Sequence, residues 1–202
     1  MSMIFGLRKV DDEQLCALLQ KPDTIIEFLY GPETAVPRSR FSLFNWFKTW
    51  RTPPEAIPEQ NHHAYAPPPG EQIDIDKAWH GLHYLLTGTA WDGDGPQSFI
   101  INGGREIGDV DVGYGPARAF RPEEVKELHH TLKNISLGDL RARYNAKKMS
   151  ELDIYPDIWE YTARPEHDNS EAMLYLLEHF NAMRKFIGRT AEECKGLVVF
   201  LF

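Results

Sequence analysis

With 202 residues, 42% of them hydrophobic, the chain is long enough to bury a real core as one domain. Its net charge of −8 argues against nucleic acid as the main partner, because phosphate binding needs a basic face. The longest apolar run, LVVFLF at the C-terminus, is far short of the ~20 residues a membrane span needs, and charges arrive too early in MSMIFGLRKVDD for a signal peptide, so a cytoplasmic protein is expected.

Residues 2 to 10 read as a first strand. Asp11 or Asp12 then caps a short helix, DEQLCALLQ, with Leu15, Leu18 and Leu19 at helical spacing and Cys16 expected on the buried side. Pro22 ends it, and DTIIEFLYG forms a second short helix that stops at Gly31. Residues 31 to 72 hold eight of the fourteen prolines, so they read as connection. One island interrupts them. In RFSLFNWFKTW, Leu43, Phe44, Phe47 and Trp50 recur at helical spacing with Trp46 nearby, which predicts a short amphipathic helix.

IDIDKAWHGLHYLLTG, residues 73 to 88, predicts a central helix starting near Asp74. Trp79, Leu82, His83 and Leu86 share one stripe; Ala78, Leu82 and Leu85 make a second. Asp74 or Asp76 is its expected N-cap and Gly88 its stop. TAWDGDGPQ is a loop, SFII a short strand, and VDVGYGPARAF extended. RPEEVKELHHTLKNI is a helix with Pro122 at its first position, acidic residues in its first turn, and Val125, Leu128 and Leu132 as its core stripe. One or two helices follow in SLGDLRARYNAKKMSEL. DNSEAMLYLLEHFNAMRKFIGR is the longest helix, capped by Asp168 or Asn169 and buried along Met173, Leu176 or Leu177, Phe180, Met183 and Ile187. KGLVVFLF is a last, fully buried strand. This order is not a regular βαβ alternation. It predicts an α+β fold: a small mixed sheet with the N- and C-terminal strands as neighbours, covered by several helices.

Several motifs imitate chemistry without completing it. His80 and His83 are three residues apart, but a zinc site needs three or four ligands and no Cys pair or His-Glu-x-x-His pattern accompanies them. The simpler expectation is that His83 is a core histidine bonded to a carbonyl or an Asp, with His80 toward the edge. WDGDG lacks the spaced oxygens and distal Glu of a calcium loop. GYGPAR lacks the third glycine and the βαβ setting of a dinucleotide site, so it reads as a turn. No metal or cofactor is expected. The two cysteines, Cys16 and Cys194, are expected to be free thiols, with no basic partner nearby in sequence to mark a nucleophile.

Four stretches together resemble the YfbM-like family of small bacterial proteins of unknown function: the opening MSMIF, the central IDIDKAWHGLHYLLTG, GYGPARAFRPEEV at residues 113 to 125, and YNAKKMSELDIYPDIW at residues 144 to 159. The resemblance implies one α+β domain over residues 1–202 in a bacterial cytosol, with the proline- and aromatic-rich stretch at about 31–72 as an insertion. It carries over no catalytic residue, cofactor or substrate. It does suggest a place. Asp76, Lys77, Trp79 and His83, with Tyr114 and Arg118, and with Asp153, Tyr155 and Trp159, would form an aromatic-walled cleft if they converge.

Two functions fit these readings. The first is a protein-binding module, accessory or immunity-type, whose partner contact is Phe44, Trp46, Phe47 and Trp50, since aromatic residues dominate such contacts. The second is a small-molecule binder or enzyme with His83 as base, Asp76 as its partner and Arg118 holding an anion.

Overall fold

The structure is a computed structural model that describes residues 2–32, 67–160 and 170–202. The aromatic island and the cap expected at Asp168 or Asn169 lie outside the described residues.

One sheet organises the chain, in the spatial order β2-β1-β5-β4-β3. Its strands are β1 (Phe5–Val10), β2 (Gln72–Asp74), β3 (Arg105–Asp111), β4 (Pro116–Phe120) and β5 (Gly196–Leu201). The first and last strands pair as expected, from Phe5 opposite Leu201 to Val10 opposite Gly196. All four pairings are antiparallel, so the sheet is not mixed. Seven α-helices stand among the described residues: α1 (Asp12–Gln20), α2 (Ile25–Tyr30), α3 (Trp79–Thr87), α4 (Pro122–Lys133), α5 (Leu137–Arg143), α6 (Ala146–Glu151) and α7 (Ser170–Glu192).

Two faces of the sheet carry two cores. Strand side chains alternate between faces. On one face Val10, Ile107, Ala117, Ala119, Val198 and Phe200 meet Leu15, Leu18, Ile25 and Leu29 of α1 and α2. On the other, Phe5, Leu7, Leu197 and Val199 meet the larger helical layer of α3, α4 and α7. β1 is therefore buried along its whole length. Its two cations are satisfied inside: Arg8 donates to the Leu29 carbonyl at 3.4 Å, and Lys9 Nζ bonds both Glu193 oxygens at 2.6 and 2.7 Å.

Helix boundaries follow local chemistry. Asp11 caps α1 by accepting from Gln14 N at 2.8 Å. Pro122 opens α4, and Val125, Leu128 and Leu132 are its buried stripe. Gly88 ends α3 in the left-handed conformation, φ 80°. Three expectations differ. Cys16 is exposed, because α1 buries only Leu15 and Leu18. The α3 segment opens later than Asp74: Gln72–Asp74 pair with β1 as a short edge strand, a 3₁₀ turn spans Asp76–Ala78, and Asp74 accepts from Asp76 N at 3.1 Å without capping α3. Ser98–Ile101 are not a strand; a 3₁₀ turn at Pro96–Ser98 runs into further turns.

Candidate cleft beside the sheet edge

Cross-strand register places Ile73, Leu7, Val199, Arg118 and Glu106 in one row across the sheet. Residues directly opposite each other share a face. The row is apolar where helices cover it and turns charged at Arg118 and Glu106, on the strands nearest the β3 edge. There the cover is loop 89–104. Between this loop and the sheet lies a cavity of about 410 Å³, walled by Phe5, Trp79, Trp91 and Tyr114, with Asn102, Glu106 and Arg118 as its polar groups. The volume lies within the range of small-molecule sites.

The loop is held from both sides. From α3, His80 Nε2 donates to the Ala90 carbonyl at 2.8 Å and His83 Nε2 to the Asp92 carbonyl at 3.1 Å. His80 Nδ1 accepts from Tyr155 N at 2.9 Å, which assigns the proton to Nε2. His83 Nδ1 is buried with no partner among the described residues, consistent with the same tautomer. Burial lowers both rings to about 4, against the carbonyl bonds that favour the charged form. The two histidines thus share a face, and what they grip is a loop. From the sheet, Arg118 donates to the carbonyls of Phe99, Ile100 and Gly103 at 3.0, 2.7 and 2.8 Å. Burial lowers its guanidinium to about 10, opposed by Glu106, so it stays cationic at neutral pH.

The walls are positioned as firmly. Tyr114 sits in the β3–β4 turn. Asp111 closes that turn by accepting from Gly113 N and Gly115 N at 2.8 and 3.0 Å, and Tyr114 N bonds the Leu201 carbonyl. GYGPAR is therefore a hairpin turn. Trp79 donates from its indole to Met3 O at 3.3 Å and stacks on Tyr155, 5.8 Å between centroids. Trp91 lies 4.1 Å from the His80 ring, and its carbonyl accepts from Asn102.

Of the nine residues expected to form a cleft, Trp79, Tyr114 and Arg118 line this cavity. Tyr155 stands behind Trp79, its hydroxyl accepting from Met3 N. The others lie elsewhere. Asp76 accepts from the Tyr175 hydroxyl at 2.9 Å, so the expected pairing with His83 is not formed. Lys77 belongs to the same 3₁₀ turn. His83 is fully buried and does not line the cavity. Asp153 is exposed, and Trp159 is buried under Gly81 with its indole on the Ile154 carbonyl at 2.6 Å. Trp91, Asn102 and Glu106 were missed. The cross-strand position of Glu106 needs a register that sequence does not supply.

Among the described residues no group of three or more His, Cys, Asp or Glu is placed to hold a metal ion. No described helix is long and apolar enough to cross a membrane.

Comparison with known proteins agrees with this architecture. A family described as a domain of unknown function (DUF1877) matches residues 1–200. Protein YfbM of Escherichia coli K12 is 30% identical over 90 residues, which are 43% of this chain and 53% of that protein, so the match spans about half of the relative's length. The crystal structure of a protein of unknown function, YfbM from Escherichia coli, superposes with a TM-score of 0.64 at 18% identity. It covers 98% of this chain and 99% of that one, and the likeness is one of fold.

Proposed function

Since the chain belongs to the DUF1877 family, which carries no established activity to borrow, we propose a function from its own site: it binds a small organic molecule in the cleft under loop 89–104. The observation that supports this is the cavity itself. It combines aromatic walls from Trp79, Trp91 and Tyr114 with two opposite charges, Arg118 and Glu106, at facing strand positions. A ligand with a flat or apolar body and a polar end matches that lining. Three of the Arg118 N–H groups are spent on carbonyls, so Arg118 builds the site and offers its remaining donors to the ligand.

The test is a fragment screen by NMR on the full chain, reading the indole N–H signals of Trp79 and Trp91. Hits that shift both signals, and that lose affinity in Trp91→Leu, support the reading. A screen in which no compound moves either signal removes it.

A second reading has its own sequence support. Phe41, Phe44, Trp46, Phe47 and Trp50 place five aromatics within ten residues of an acidic chain, and such a patch suits a basic protein partner. A partner captured by the full chain and lost with Trp46→Ala and Trp50→Ala supports it; equal capture by both forms counts against it. Free, exposed Cys16 and Cys194 fit a reducing cytoplasm, and the Escherichia coli relative fits a bacterial source.

A further inference from the structure

The acidic balance of the chain is reversed locally on its helical layer. Along the solvent side of the α4–α7 seam runs an open groove of about 630 Å³. From α4 it takes His129 and Lys133; from α7 it takes Arg184, Lys185 and Arg189, with Glu192 at one end. Four permanent cations against one carboxylate is a local reversal in a chain of net charge −8.

These charges are not closed into short ion pairs, although the Glu193 carboxylate lies near enough to Arg189 to be stabilised by it. Lys133, Lys185 and Arg189 make no ion pair among the described residues, although acidic residues outnumber basic ones, 30 to 22. Lys185 and Arg189 are four apart on one helix face, a spacing at which like charges repel. Arg184 is held in place: one nitrogen donates to the Ile135 carbonyl at 3.2 Å and another to Asn181 Oδ1 at 2.8 Å. The groove floor is Gly188. A Cβ there would stand 3.1 Å from His129 Cε1 and 3.2 Å from His129 Nδ1, tight enough that a larger residue would push the ring outward by a few tenths of an ångström. That contact buries His129 Nδ1 without a partner. An unpartnered buried nitrogen costs least as a bare acceptor lone pair, which leaves Nε2–H as the donor of the ring.

We propose that this groove is an anion-binding site for a small phosphate-bearing molecule, held by Lys133, Lys185 and Arg189 with His129 Nε2–H as a further donor. It is separate from the aromatic cleft and does not depend on it. A compact anion suits the groove better than a nucleic-acid strand. Glu192 closes one end, and a long polyanion would run onto the surface of a protein with net charge −8.

The experiment is an amide NMR titration of the full chain with inorganic pyrophosphate at low salt. It compares the native protein with Lys185→Glu/Arg189→Glu and with a control pair, Lys126→Glu/Lys148→Glu. All four side chains are exposed, so both variants keep the fold. Lys133→Met serves as a milder third variant. The site predicts saturable shifts centred on His129, Lys133, Gly188 and Arg189. It predicts affinity at least about tenfold weaker in the groove variant, unchanged in the control, and falling with added salt. Shifts scattered over the surface, or equal affinity in the groove and control variants, would overturn it. So would tighter binding of a single-stranded RNA oligonucleotide than of pyrophosphate, which would replace the small anion with a polymer.

Discussion

Acidification to about pH 5 should strongly destabilise this protein through His80 and His83. In the folded state each ring stays neutral down to about 4, because burial disfavours the charged form. In the unfolded chain each takes the ordinary value of about 6.5. A folded pKa below the unfolded one means that the unfolded state binds protons first as pH falls. Stability therefore declines from about pH 6.5 and stops declining near 4. Between pH 7 and 5 the loss is about 2 kcal/mol per ring, about 4 kcal/mol for both. That is a large share of the 5–15 kcal/mol typical of a domain. The structure gives a local reason as well. A proton on His80 Nδ1 removes the acceptor of Tyr155 N, and a proton on His83 Nδ1 places an unpaired charge in the core near Arg118. The downward-shifted carboxyls, Asp139 and Glu193, act at lower pH, because their contribution is lost only below the ordinary carboxylate range. The assay is a urea midpoint series from pH 7 to 5, with ring signals followed by NMR. His83→Leu should halve the pH slope, whatever it does to the stability at pH 7. A flat midpoint across that window, or a His80 ring that titrates near 6.5 in the folded protein, would refute the argument.

Two further perturbations probe the frame of the cleft. Gly81→Ala adds a Cβ 2.8 Å from Trp159 Cη2 and 2.9 Å from Leu176 Cδ2. The helix-propensity gain of about 1 kcal/mol should be outweighed by overpacking of about 1–3 kcal/mol, and a rise in melting temperature would contradict this. Arg118→Met strips the carbonyls of Phe99, Ile100 and Gly103 of their donor. It should cost about 1–3 kcal/mol and speed hydrogen exchange in residues 99–104 ahead of the rest of the chain; uniform exchange would show that the clamp is dispensable.

What the sequence determined by itself is local. The stripe Val125, Leu128, Leu132 on α4 and the stripe from Met173 to Ile187 on α7 were legible, because a helix repeats its buried face every three or four residues. The buried run of β5 and its pairing with β1 followed from an apolar strand at each end of the chain. The turn at GYGPAR followed from its glycines and proline. Where periodicity was absent, reading failed. Gln72–Asp74 is too short a strand to show alternation, and Cys16 sits beside Leu15 on a helix that buries only a narrow stripe.

His83 is the carbonyl-bonded core histidine that the sequence suggested. Tertiary structure alone decided which loop the two histidines grip and that His80, expected toward the edge, is fully buried, because their carbonyl partners lie on a loop whose path is set from below by Arg118. SFII turned out not to be a strand for a related reason: the carbonyls of Phe99 and Ile100 are taken by a side chain twenty residues or fewer downstream, not by a neighbouring strand. The cleft depends on register in the same way. Only the alignment of Leu7, Val199, Arg118 and Glu106 across four strands reveals where the apolar face ends and charge begins. A sequence records which residues are apolar; which of them stand side by side is fixed by hydrogen bonds between strands far apart in the chain.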